Sequence, residues 1–323
     1  MPLMLPILFA FSLFLFTSLS GIAGAAEIAI LKSADLPYYE QAVVEFKAGL
    51  PATISVKEYN FNGRLAEGRH IAQSLRAAPH DLIFAVGLKA AMAAKLEIVD
   101  QPVVFCMVLD PETHGLPASN MTGIAARLPA ETQLAALRSA LPNRNRVGVL
   151  YDEERSGDFI LQAHRAAKQY GLELLAVAVH RQAEIPNAVR ALLPTIDALW
   201  LIQDQTVISE SAIPFFLEST LDAKVPLFTF SSTLVQQGAV GALVLDPSAV
   251  GRQAARIALS RLKEPSALAG LIQAPERPQL ALNVNSASHV GVTLSPELIR
   301  VAGHLFSGPG VMAQTPSHSD LIP

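Results

Sequence analysis

The 323-residue chain contains one cysteine, Cys106. A disulfide framework within the chain is excluded, and so is a multi-thiolate metal site. Cys106 lies in the apolar run "PVVFCMV", where a free cysteine behaves as a small buried hydrophobe. Charge of one sign is not concentrated anywhere. The 24 Lys and Arg stand against 28 Asp and Glu, and the basic residues are scattered, which leaves no electrostatic footprint for nucleic acid. The nucleophile elbow Gly-x-Ser-x-Gly is missing. His70 and His80 are isolated from other ligand types, and His318 likewise. His114 stands eight residues beyond Cys106, but a cysteine inside an apolar strand is a poor nucleophile. These absences point away from an enzyme and call for no cofactor and no metal.

The stretch "DLIFAVGLKAAMAAK" (81–95) has the order strand, glycine turn, helix, which presents free backbone N–H groups to a ligand. A nucleotide P-loop needs a longer glycine loop ending in Gly-Lys-Ser/Thr; here there is one glycine, and Ala90 follows Lys89. The turn is expected to contact a ligand that is bound and released.

No later stretch is apolar enough to span a membrane, but the N-terminus is different. "MPLMLPILFAFSLFLFTSLSGIAGAAE" is apolar, then small, then charged at Glu27, as in a secretory signal cleaved after Ala25 or Ala26. No Lys or Arg precedes the apolar run. The alternative is an uncleaved anchor, with Leu3 to Leu19 near the lower limit for a span and interrupted by Pro6. Either way the body is exported, to the periplasm or its equivalent. Residues 306–323 are rich in Pro, Gly and Ser and are expected to form a disordered tail.

The body alternates short apolar runs with longer amphipathic ones, the pattern of parallel sheets flanked by helices. It then repeats. "DALWLI" (197–202) mirrors "DLIFAV" (81–86), and "VPLFTF" (225–230) mirrors "QPVVFC" (101–106), at an offset of about 120 residues, far longer than a solenoid repeat. The expected fold is α/β, with two similar Rossmann-like lobes and a ligand cleft between them. The expected division is a signal over 1–26, a first lobe over 27–120 with a return of the chain near 280–305, and a second lobe over 121–279. Near the end, Ser295, Pro296 and Glu297 form a helix-start signal.

In open α/β sheets the ligand sits beyond the carboxyl ends of the strands. The loops that follow the strands therefore supply the candidates. They are Ser33, Asp35, Tyr38, Gly87, Lys89 and Leu109 in the first lobe, and Ser156, Asp158, Asp204, Thr206, Ser231 and Ser232 in the second. Hydroxyls and carboxylates of this kind suit a small polar ligand in a mostly apolar cleft, with Leu109, Phe230 and the Tyr38/Tyr39 pair for apolar contact. Each has a plainer alternative: Lys89 as a solvated lysine in a first helical turn, Asp35 and Asp204 as helix caps, Asp110 before Pro111 as a turn organiser.

Six segments in order, "DLIFAVGLKAAMAAK", "QPVVFCMVLDPETHGL", "NMTGIAARLPAETQLAALRSALPNRNRVGVLYDEE", "ALWLIQDQTV", "VPLFTFSSTLVQQGAVGALVLDPSAVGRQAARIAL" and "LALNVNSASHVGVTLSPELI", together resemble the ABC-transporter substrate-binding proteins with a type I periplasmic-binding fold. That family includes tryptophan and tyrosine binders. The resemblance spans about residues 27–300 and implies a non-catalytic, monomeric receptor that closes on a small molecule and hands it to a membrane permease. It also implies that Asp204, in an Asp-x-Thr with Thr206, meets a ligand ammonium. The sequence departs from the family's pattern at Gly87-Leu88-Lys89 and at Phe230-Ser231-Ser232, so the cleft gains a cation, and a ligand with anionic character is expected. A sensor that reports to a membrane signalling protein is the alternative, and neighbouring genes discriminate the two. A hydrolase ranks lower.

Overall fold

The computed structural model describes residues 26–78 and 80–307. All but the last residue of the expected signal peptide and all but the first two residues of the expected tail lie outside the described residues. Among the described residues thirteen strands run in order: β1 Glu27–Lys32, β2 Ser55–Asn60, β3 Leu82–Val86, β4 Val103–Val108, β5 Met121–Ala125, β6 Arg146–Tyr151, β7 Glu173–Ala178, β8 Ala198–Trp200, β9 Leu227–Thr229, β10 Gly241–Val244, β11 Ile272–Gln273, β12 Gln279–Asn283 and β13 His304–Phe306. The helices used below are α1 Pro37–Ala48, α2 Leu65–Ala77, α3 Leu88–Glu97, α4 Ala130–Ala140, α5 Glu153–Gln169, α6 Ile185–Leu192, α7 Ala212–Asp222, α8 Ser232–Gln237 and α9 Pro247–Lys263.

The strands form two sheets. The first has the order β11-β5-β4-β3-β1-β2 and the second β13-β12-β10-β9-β8-β6-β7. Every pairing is parallel except β10 with β12. β3 and β4 show why: both are continuous apolar runs, and every residue in them is buried. A strand covered on both faces needs no polar alternation. In the first lobe α1 and α9 cover one face, with Val43, Phe46, Ala254 and Ala258, while α2 and α3 cover the other. In the second lobe α4 and α5 pack over Trp200 and Phe228, and α6, α7 and α8 close the opposite face. Among the described residues no helix is long and apolar enough to cross a membrane.

The first crossing follows β5, close to the boundary expected near 121, but the chain's return to the first lobe lies elsewhere than expected. β5 belongs to the first sheet, although the second lobe was expected to begin at 121. The returning segment is α9 with β11, not residues near 280–305, which supply β12 and β13 to the second sheet. The physical reason is close helix packing. A Cβ on Gly251 would collide with the carbonyl of Ala42, and one on Gly49 would sit 2.7 Å from Ala255, so small residues let α9 lie directly against α1. Arg252 seals the contact on Glu45 at 2.7 Å. Phe306, expected at the start of the tail, pairs with Asn283 in β13. The helix-start signal is borne out: the Ser295 hydroxyl accepts from Leu298 N at 3.2 Å, and a helix spans Pro296–Val301.

Candidate functional site

At the end of β1, Lys32 is only 6 % exposed. Burial opposes its charge, but Glu40 at 2.5 Å and Asp35 at 3.2 Å hold its pKa above the usual lysine value. Asp35 is thus tied to its own loop. Ser33, one residue on, joins three loops. Its N–H donates to Val86 O, its carbonyl accepts from Gly63 N, and its hydroxyl accepts from Ala90 N at 2.9 Å, in the first turn of α3. Gly87 has φ +88, and a Cβ there would meet Ser33 Oγ at 2.7 Å and the Tyr39 ring. Only glycine fits that turn. Burial drives the pKa of Tyr39 well up, so its phenol stays neutral. Lys89 donates to Gly63 O at 2.9 Å; its ammonium tightens the neighbouring loop.

In the second lobe Asp204 is 1 % exposed, and its carboxylate is fully engaged. Oδ2 accepts from Asp152 N at 2.8 Å and from the Ser156 hydroxyl at 2.7 Å; Oδ1 accepts from Thr206 N at 2.9 Å and Val207 N at 3.3 Å. An ionised carboxylate has about four acceptor sites, and here all are used. The expectation that Asp204 meets a ligand ammonium therefore gives way to a positioning role: it fixes the loop after β8 against the start of α5. Asp152 caps α5 by accepting from Glu154 N at 3.0 Å. The Thr206 hydroxyl donates to Asp152 at 2.6 Å and, with that cap bond, holds its carboxyl below the usual aspartate range.

Between these loops Arg127 links the lobes. It follows β5, where the chain first leaves the first sheet. Its Nε and Nη2 each donate to one oxygen of Asp110 at 2.5 Å, and Nη2 also donates to Gln203 O at 2.7 Å. Its guanidinium stacks 4.6 Å from the centroid of the Phe159 ring on α5. Asp110 reaches it because the end of β4 is irregular. Met107 has φ +57 and Asp110 φ +46, both left-handed, and the register of β4 with β5 shifts between Phe105 and Val108. One arginine thus touches the loop after β4 in the first lobe and the loop after β8 in the second.

A cavity of about 220 Å³ lies where the strand ends of both lobes meet. Leu88, Leu109, Asp110, Thr113 and His114 border it from the first lobe, with Arg127 at the crossing and Glu154, Arg155, Ser156, Gln203, Asp204 and Gln205 from the second. Gln203 also borders an adjoining cavity of about 330 Å³, with Tyr38, Phe230, Ser231 and Ser232. The Asp110–Arg127 pair also borders a larger cleft of about 770 Å³ that includes Asp158. Of the residues named from sequence, Leu109, Ser156 and Asp204 border the first cavity, Tyr38, Ser231 and Ser232 the second, and Asp158 the third. Ser33, Asp35, Gly87, Lys89 and Thr206 border none of the three; they hold the loops in shape. Arg127, Gln203 and Glu154 escaped the sequence reading.

The sequence profile of the ABC transporter substrate binding protein family matches residues 28–305. The chain belongs to that family. A curated relative, the tyrosine-binding protein of Clostridioides difficile (strain R20291), is 24 % identical over 218 residues, or 65 % of this chain, and the match spans 63 % of that relative's length. Among solved structures, an ABC domain in complex with L-Trp from Streptococcus pneumoniae superposes with a TM-score of 0.62 at 22 % identity, covering 87 % of this chain and 99 % of the other. The ligand-free, open structure of a substrate-binding protein with adhesive properties from Clostridium difficile gives a TM-score of 0.72 at 19 % identity, covering 88 % and 99 %. The fold is the two-lobed α/β architecture of type I periplasmic-binding proteins; the repeat leads one to expect the two lobes, and the family resemblance implies the type I arrangement.

Proposed function

We propose that this family member is an exported receptor that captures a small polar molecule, an amino acid or similar, between its lobes and delivers it to an ABC-type permease in the membrane. The observation that carries the reading is the 220 Å³ cavity bordered by strand-end loops of both sheets. Its volume suits a small solute. A ligand touching both lobes favours the arrangement in which both sets of contacts form, so binding shifts the population toward closure. The three crossings, after β5, between β10 and α9, and between β11 and β12, are the segments about which such a motion turns. The apolar N-terminal sequence supports export, and the relatives named for tyrosine and L-Trp make aromatic amino acids the first solutes to try.

The reading is non-catalytic. Cys106 is fully buried in β4, and desolvation drives its thiol pKa far up, so it does not serve as a nucleophile at neutral pH. The test is a thermal-shift panel on the purified protein, stripped of any carried ligand by unfolding and refolding. Amino acids, nucleosides, small carboxylates and sugars make up the panel. A solute that binds the folded state raises the melting temperature with concentration. A panel without a single concentration-dependent shift would sink the proposal.

A further inference from the structure

A guanidinium has five N–H donors in a fixed fork. In Arg127, Nε uses one on Asp110, and Nη2 uses two, on Asp110 and on Gln203 O. Nη1 keeps two, and it is buried without a hydrogen-bond partner among the described residues. Arg127 as a whole is only 8 % exposed. Buried polar groups in folded proteins are nearly always paired, and an unpaired donor on a charged group is costly. The side chain borders both the 220 Å³ cavity and the 770 Å³ cleft between the lobes, so an acceptor for Nη1 is supplied most simply by a solute held there.

We infer that Arg127 Nη1 is the anchor for a carboxylate of the captured solute. This rests on the solute-receptor reading and deepens it. The bidentate Asp110 pair fixes the plane of the guanidinium, and the Phe159 ring supports its face, so the free edge is held in one direction before the ligand arrives. Preorganisation of that kind removes an entropic cost of binding.

The surrounding charges narrow the ligand further. Asp110 already balances the charge of Arg127, so the free edge offers hydrogen bonds without a surplus positive charge. Glu154 and Arg155 both border the same cavity and are exposed, so their opposite charges offset one another and neither a dianion nor a dication is favoured. The matching chemistry is one carboxylate on a molecule that is neutral overall: a zwitterionic amino acid. The anionic ligand expected from Lys89 is not the favoured class, because Lys89 donates to Gly63 O and borders none of the three cavities.

The experiment is titration calorimetry of the purified protein with a panel of L-amino acids, each beside its C-terminal amide, with sugars and nucleosides as outgroups. An amino acid that binds is expected to lose roughly 10- to 100-fold in affinity as the amide, the range for a hydrogen bond to a charged group. R127Q is expected to weaken the acid by a similar factor and to erase the gap between acid and amide, and R127K to restore part of it. If acid and amide bind the unaltered protein equally, or R127Q keeps the gap, the anchor assignment is wrong while the receptor reading stands. Binding of only a sugar or nucleoside has the same meaning. If no solute of any class binds, both fall. The comparison on the unaltered protein needs no variant, so an R127Q that fails to fold does not leave the question open.

Discussion

The Ser156 hydroxyl donates to Asp204 Oδ2 at 2.7 Å, inside a carboxylate that also receives three backbone N–H groups. This makes Asp204 the joint between the β8 loop and the α5 cap, and it sets the first prediction. D204A strands the Ser156 hydroxyl and the N–H groups of Asp152 and Thr206, each worth about 1–3 kcal/mol when left unpaired, partly relieved by water and relaxation, while Val207 N keeps its bond to Asp204 O. A loss of roughly 2–5 kcal/mol in urea unfolding is expected. A direct ligand contact would instead leave stability nearly unchanged and weaken binding alone.

Breaking the Asp110–Arg127 pair from one side leaves a largely buried cation without its partner. D110A is therefore expected to cost about 3–5 kcal/mol, near the figure for a buried pair. Asp110 is partly exposed, which places the result at the lower end. Urea unfolding of D110A, R127Q and the double variant gives the coupling. Additive losses would mean the two do not act as a unit.

Acid stability follows from Asp152. Its folded pKa is depressed by the Thr206 hydroxyl, so the stabilisation is complete above the unfolded value near 4 and is lost as pH falls through the lower folded value. T206V removes the hydroxyl and raises the folded pKa toward the unfolded one. Acid unfolding followed by circular dichroism is expected to move to higher pH in T206V. An unmoved midpoint would show that this carboxylate does not contribute to acid unfolding.

Gly87 turns the chain at φ +88 under the Tyr39 ring and beside Ser33. G87A is expected to cost about 1–3 kcal/mol from backbone strain together with the Cβ contact, and to disturb Leu88 at the cavity rim. Thermal unfolding checks the first effect and solute affinity the second. A G87A protein as stable as the parent would contradict the geometry.

Much of the fold was legible because its signals are local. β3 and β4 are uninterrupted apolar runs, and Ser295-Pro296 announces a helix within three residues. The return of α9 to the first lobe was not legible. Its cue is the fit of Gly49 and Gly251 against a helix about 200 residues away, and a small residue in an amphipathic helix carries no address. The site divides the same way. The loops after the strands follow from the pattern, but polar residues in a loop look alike whether they face a ligand or brace the chain, and the pattern does not reveal that Lys89 donates to Gly63 O or that the Asp204 carboxylate is engaged by four donors. Arg127 was passed over because its partners, Asp110 and Gln203, lie 17 and 76 residues away, and no periodicity connects them.

The central claim is that a solute in the interlobe cavity closes the two lobes. Small-angle X-ray scattering of the ligand-stripped protein, alone and saturated with a solute confirmed by calorimetry, tests it most directly. Closure gives a smaller radius of gyration in the saturated sample and no change with a non-binding solute. A solute that binds tightly while the radius of gyration stays the same would contradict it.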